Sequence, residues 1–458
     1  MTLYFIDGHN TTSMAAVAPI LSVTSRCPAP RDTSTIDMHE MLTEYKIITT
    51  IQYERYPQIL RAMNPELPST DLDIFNADSV HNAREVDDAL REMAPVVWLE
   101  RENIAVTGRY EHVQNGLADW QTFSSRSRPW HDPDSVRPEI LLTDDPPRHT
   151  QVRKVLGDIL SPAVLRDMTQ NFEADAEALL SDLKKAGERD IDAVDAISRT
   201  FVYKVLPDLI GLPLEGRENM AAFGHMVWAT MGPENALFHE AMQGSEPVFE
   251  WLDICCSRES LTPGMLGMKL FEAADRGLVT QDEAKLLVQI LLSAAADTTV
   301  MTISTAIRAF CEFPEQYALL REDPSLVRAA FEESLRWDSP SRMAGRITTK
   351  DVDIEGYTIP AGTRCGLMFA AANRDPRKWV HPARFDIQRD IRGHVGWGFG
   401  IHACVGRNLA LLEADALLGK LVSHIEKFEA TGNPEPWMTT IGHGPASLPV
   451  KITFAQRG

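Results

Sequence analysis

Gly393-His-Val-Gly-Trp-Gly-Phe-Gly-Ile-His-Ala-Cys404-Val-Gly406 decides how the rest of the chain is read. It holds five glycines and one cysteine. Glycine lets backbone approach a flat, bulky group where a β-carbon would collide, and the loop frees backbone N–H groups to point inward. A helical pattern follows at once over residues 406–424, with Leu409, Leu412 and Ala416 on one face. Cys404 therefore stands at the mouth of a helix, where backbone donors and the positive helix end favour thiolate over thiol. A thiolate held this way is a metal ligand or a nucleophile. A nucleophile needs a base, and His402, two residues away on a tight loop, is the only close candidate.

The bulk numbers bound the classes. The chain has 458 residues, 44% of them hydrophobic, and a formal charge of −20. That is enough apolar content for a sizeable core, and the acidic balance argues against nucleic acid or an anionic membrane as a partner. Six cysteines (Cys27, Cys255, Cys256, Cys311, Cys365 and Cys404) show no CxxC pair. They read as reduced thiols in a cytoplasmic compartment. No run of about 18 apolar residues occurs, so no transmembrane helix is expected. Residues 14–21 are mildly apolar but lack the basic residues that precede a signal peptide core.

Along the chain, residues 1–64 carry no periodicity and read as an N-terminal extension of uncertain structure. An amphipathic helix is expected over 80–94, then a hairpin from alternating runs at 96–100 and 104–110. Helical text dominates from there to about 344. Strands are expected at 346–354, 357–359 and 364–369, the last two separated by the turn Pro360-Ala-Gly362. The fold class is mainly α with a minor β region, with one domain over 65–458.

The longest helix should run from about Thr280 to Phe310, opened by the capping box Thr280-Gln-Asp-Glu283. About thirty residues at 1.5 Å each span roughly 45 Å, enough to cross a domain. Between Lys285 and Arg308 the only charged residue is Asp297. A lone acid in an apolar helix is costly unless it is hydrogen-bonded or used. Thr298 follows, and Ala294, Ala295 and Ala296 leave room for a ligand against the backbone. Asp297 is either a polar link to a neighbouring helix or a working acid. Thr298 either bonds back to the carbonyl one turn earlier or faces a ligand.

Taken together, these runs resemble the cytochromes P450. Trp397, Gly400, Cys404 and Gly406 meet the family's aromatic-x-x-Gly-x-x-x-Cys-x-Gly haem-ligand loop, with Trp where Phe is usual. Ala294-Ala-Ala-Asp297-Thr298-Thr resembles the oxygen-activation motif, with Ala295 where Gly is usual. Glu333-Ser-Leu-Arg336, Asn373-Arg-Asp-Pro376 and Pro382-Ala-Arg384-Phe385 follow at the family's spacing. The resemblance runs from near Pro65 to the end and implies the cytochrome P450 fold and haem b as cofactor. It implies Cys404 as iron ligand, favouring O–O cleavage, and His149, Arg153, Arg346 and His402 as partners of the haem carboxylates. Asp297 would relay protons and Thr298 would hydrogen-bond the oxygen being activated. Glu333, Arg336 and Arg384 would form a buried ion network.

Further stretches resemble the bacterial branch that oxidises para-substituted benzoates, including O-demethylation of 4-methoxybenzoate. They are residues 205–211, 215–218, 232–235, 257–264 and 447–450. That branch grips its carboxylate with an Arg-Ser pair where this chain has Gln289 and Ile290, so Arg126 is the cation left near the pocket mouth. Trp228, Met231, Ala294, Ser341 and Ala344 are expected to line the pocket, with Ala344 small where a ring is usual. The implied activity is insertion of one oxygen atom from O2 into a small aromatic substrate. No flavin fingerprint is visible, so electrons would come from a ferredoxin and its reductase, with Arg392 and Arg407 offered to an acidic partner. A peroxide-using peroxygenase and a non-catalytic haem sensor are the alternative classes.

Overall fold

The computed structural model describes residues 67–126, 140–187 and 189–456; the expected extension, residues 1–64, lies outside them. Its axis is the helix Gln281–Glu312. Both halves of the expected capping box are present: the Thr280 hydroxyl accepts from the Glu283 N–H at 3.1 Å, and the Glu283 carboxylate accepts from the Thr280 N–H at 2.7 Å. Leu287, Val288, Leu291, Leu292, Val300, Met301, Ile303, Ile307 and Phe310 along it are all buried. They pack against helices Thr200–Ile210, Leu266–Asp275, Val327–Trp337 and Arg407–His424. By length and composition alone this helix could cross a bilayer, although Gln289, Ser293 and Asp297 interrupt its apolar run. It is buried because it is the core around which the other helices pack.

Helices dominate from Glu66 onward, a stretch that forms one compact unit. The expected 80–94 helix is two, Ala77–His81 and Ala83–Met93, because Asn82 ends the first by bonding the Asp78 carbonyl from both its backbone and its side chain. The hairpin forms between Val97–Leu99 and Ile104–Thr107, with Val97 opposite Val106. It belongs to a six-stranded sheet ordered Ser69–Thr70, Val97–Leu99, Ile104–Thr107, Arg364–Met368, Met343–Thr348, Phe123–Ser124. Met343–Thr348 pairs antiparallel to Arg364–Met368, and alternation puts Ala344 and Arg346 on the same side of it.

The expected strand 346–354 breaks in two. Thr349 turns away, and Val352–Ile354 pairs instead with Tyr357–Ile359. Glu355 and Gly356, both at positive φ (52° and 86°), form the two-residue turn between them. A second sheet was not expected: Ile425–Ala430, Pro449–Phe454 and Asp190–Asp192. Its inward residues Val450, Ile452 and Phe454 alternate with polar ones, a period-two signal present in the sequence.

Candidate active site

The Cys404 loop is built as a support. Gly398 and Gly400 take positive φ (68° and 67°). A β-carbon on Gly400 would strike the Leu117 carbonyl, so the loop rests directly on helix Tyr110–Ala118. The Cys404 N–H donates to the Trp397 carbonyl at 2.7 Å, closing the loop ahead of helix Arg407–His424. Cys404 is accessible to solvent, yet burial pushes its thiol above the ordinary value. The two observations agree if the sulfur faces an interior space rather than the outer surface. Donation from the Gly406 and Arg407 N–H groups and the Arg153 charge pull the other way without prevailing. The expectation that backbone donors and the helix end favour thiolate over thiol is thereby corrected: desolvation wins, and a bound cation is what would stabilise the anion.

Beside this space four basic side chains converge. His149 is buried, and neither ring nitrogen has a hydrogen-bond partner among the described residues. Its ring lies 4.4 Å from that of His402. His402 Nε2 shares a 3.0 Å hydrogen bond with the Ser125 hydroxyl. Arg346 is buried, has no ion-pair partner among the described residues, and bonds the Gly345 carbonyl at 2.7 Å; burial lowers it to about 10. Arg153 donates to the Ala403 carbonyl in the cysteine loop. Buried donors without acids of their own suit a ligand that brings its own carboxylates. With a thiol facing an interior space, the set fits haem. Ser125 was missed; nothing in Ser124-Ser-Arg126 sets it apart from its neighbours.

The long helix presents Ile290, Ala294 and Thr298 at i, i+4 and i+8, on one face. Ala294 is exposed in the middle of this buried helix, so an interior space lies against it. The Thr298 hydroxyl donates to the Ala294 carbonyl at 2.7 Å, the backward bond weighed above. Asp297 is buried beside it, accepting from the Tyr203 hydroxyl at 2.8 Å. Burial raises its carboxyl to about 6, against the Tyr203 hydrogen bond and the Arg199 charge. Gln289 is part-buried and one helical step off the open face.

Trp228 and Met231 end the helix Met220–Thr230. The Trp228 ring lies 6.1 Å from Trp437, a residue absent from the expectations. The segment 437–444 ties several pocket elements together. The Thr440 hydroxyl donates to the Trp228 and Ala229 carbonyls (3.1 and 3.0 Å), Ser341 bridges to Gly442, and Gly444 packs on Met301. Ser341 and Ala344 are both part-buried. Arg126 is 66% exposed and 3.9 Å from Asp145, so it points to solvent instead of presenting a bare cation to the pocket. Arg392 pairs with Asp390 and Arg407 with Glu332, so both cations offered to a partner already hold acids.

The buried network differs from expectation in one member. Arg336 binds Glu333 through two 2.8 Å hydrogen bonds. The third side chain is Arg389, at 3.1 Å from Glu333, not Arg384. Arg384 is exposed and contributes only its carbonyl, which accepts from Arg336 and Arg389. Phe385 takes the interior position beside it, which leaves the Arg384 side chain outside.

Residues 257–452 match the family model described as Cytochrome P450. The chain is 37% identical over 399 residues to Cytochrome p450 CYP199A2 of Rhodopseudomonas palustris, covering 85% of this chain and 95% of that one. It is 30% identical over 361 residues to the Vitamin D(3) 25-hydroxylase of Pseudonocardia autotrophica, covering 76% and 88%. The solved structure of CYP109Q5 from Chondromyces apiculatus superposes with a TM-score of 0.72 at 28% identity, covering 84% and 99%. Identity at this level over this span places the chain in the cytochrome P450 family of haem b-dependent monooxygenases.

Proposed function

We propose that this enzyme inserts one oxygen atom from O2 into a small aromatic substrate, and that the methyl carbon of an aryl methyl ether is the position attacked. The catalytic unit begins near Pro65 and works in the cytoplasm. Haem b, when bound, supplies the one-electron and dioxygen chemistry. Cys404 holds it through sulfur, and His149, Arg153, Arg346 and His402 pair with its carboxylates. Ser125 fixes the His402 ring.

The observation that carries this reading is the acid–alcohol pair one turn past the exposed Ala294 in the middle of the long helix. The hydrogen of Thr298 is committed to the Ala294 carbonyl, so its oxygen accepts a hydrogen bond from whatever binds alongside. Asp297, poised near pH 6 by burial, takes up and hands on protons next to it. Trp228, Met231 and Ile290 supply apolar surface for a ring and keep water away. Hydroxylation of a methoxy carbon gives a hemiacetal that collapses to a phenol and formaldehyde. One O2, two electrons and two protons are consumed, and one water leaves. Support for the methyl ether comes from the resemblance to the benzoate-oxidising branch; Gln289 and Ile290 in place of its Arg-Ser pair favour a weaker hold on a carboxylate. The electrons come from a separate ferredoxin and its reductase.

The test is reconstitution with a surrogate ferredoxin and reductase, offering 4-methoxybenzoate and an uncharged aryl methyl ether. Formaldehyde and phenol equal to reductant consumed support the reading. No formaldehyde from either compound, with reductant consumption unstimulated, would overturn the substrate class. Product formed with peroxide alone would point to a peroxygenase.

A further inference from the structure

Asp297 is held by two contacts that carrying protons does not by itself require. The Tyr203 hydroxyl, from helix Thr200–Ile210, donates to Oδ1 at 2.8 Å. Gly224, from helix Met220–Thr230, leaves the space taken by the other oxygen; a β-carbon there would run into Oδ2. Oδ2 is buried and has no hydrogen-bond partner among the described residues. The carboxylate is therefore fixed at one oxygen and bare at the other. An oxygen that takes a proton becomes a weaker acceptor for the donor it already holds, so protonation favours the bare one.

We propose that Tyr203 is a positioning residue for Asp297: by donating to Oδ1 it puts the transferable proton on Oδ2 and holds the side chain against Gly224 between turnovers. This rests on the reading of Asp297 as the proton carrier. Tyr203 does not carry the proton itself. Burial and the Asp297 charge push its phenol well above the ordinary value, so proton loss to Asp297 is strongly uphill. The groups that bear on Asp297 are Tyr203, Arg199 one turn earlier, and the uncharged Gly224 from the facing helix. Arg199 is partly exposed and paired with Asp195. Burial raises Asp297, and the Tyr203 hydrogen bond is the larger of the two influences holding it down.

The experiment is the pH profile of product formation by the holoenzyme with its reconstituted donors, for wild type, Tyr203→Phe, Gly224→Ala and Asp297→Asn. Activity that needs protonated Asp297 falls as pH rises through its pKa. Loss of the Tyr203 donor raises that pKa, so in Tyr203→Phe the alkaline limb moves up by about one pH unit, while the carbonyl spectrum and the substrate-induced spin shift stay as in wild type. Gly224→Ala displaces the carboxylate from the same donor and moves the limb the same way. An unmoved limb in both variants, with Asp297→Asn crippled, overturns the positioning role alone. Full, coupled turnover in Asp297→Asn overturns the proton-carrier reading and the inference with it.

Discussion

Glu333, Glu332, Asp297 and Glu413 are buried carboxylates on or near the long helix and the cysteine loop, and they fall into two kinds. On helix Val327–Trp337, Glu333 accepts four hydrogen bonds, two from Arg336 and one each from Arg389 and the Asp386 N–H. Its neighbour Glu332 accepts from His394, Trp397 and Arg407 at 2.6, 2.9 and 2.6 Å, and these donors outweigh burial to hold it near 2. On the other side, Asp297 has one donor and stands near 6. Glu413, fully buried nine residues past Cys404, stands near 8; the Thr299 hydroxyl bears on it without reaching good hydrogen-bond geometry. Burial is common to all four, so donor supply separates them. Glu332, with three donors, is held charged and fixes the loop; a buried carboxylate with one donor or none is free to change its proton near neutral pH.

The comparison breaks most violently at Glu333. Glu333→Ala leaves the buried Arg336 and the part-buried Arg389 without their acid, a loss of about 3–5 kcal/mol. The expected result is little haem-loaded protein, read by the carbonyl spectrum and thermal unfolding. Glu413→Gln should act oppositely. Its folded-state pKa is raised, from 4.5 to about 8, so the native state binds the extra proton and stability falls as pH rises through that window. The shift corresponds to a few kcal/mol at pH 8. The variant should be more stable than wild type at pH 8 and flatter between pH 4.5 and 8, as read from Tm against pH. A wild-type curve already flat there would mean Glu413 is satisfied after all.

How much of this was legible varied with the kind of signal. Cys404, Asp297 and Thr298 stood out because each breaks a pattern, a thiol among glycines or a charge among alanines. Glu413 left a signal too. It stands four residues after Leu409 and three before Ala416, on the apolar face, where an acid should draw notice. Tyr203 left none: a tyrosine in a helical run reads as packing, and only the crossing of two helices aims its hydroxyl at Asp297. The choice of Arg389 over Arg384 depends on which loop residue Phe385 displaces outward, a matter of tertiary packing. The second sheet was readable from alternation at 450–454, and the split at 349 from the Glu355-Gly356 turn.

Asp297→Asn comes next in size. It keeps the shape, removes the transferable proton, and should cost about 100-fold in product formation, with reductant consumed unproductively. Stability should hold or rise above pH 6, since a buried charge with one donor is removed. Loss of activity together with a lower Tm would place Asp297 with the structural acids and dissolve the contrast.

The smallest effect is the most discriminating. Trp397 stands where the family usually has Phe, and its indole N–H donates to Glu332. Trp397→Phe keeps a ring against Phe331, now 6.1 Å from it, and removes one of three donors. A single hydrogen bond to a charged group is worth about 1.5 kcal/mol. The folded-state pKa of Glu332 is depressed, so its contribution is present above pH 4.5 and is lost as pH falls toward 2. Removing a donor raises that lower bound, so the variant is less stable at pH 7 by this amount, a Tm drop of a few degrees, its acid unfolding begins at higher pH than in wild type, and the gap between the two narrows as pH falls toward 2. Identical acid transitions would show that His394 and Arg407 alone keep Glu332 charged, and that the count of donors, beyond two, no longer sets which carboxylates are locked.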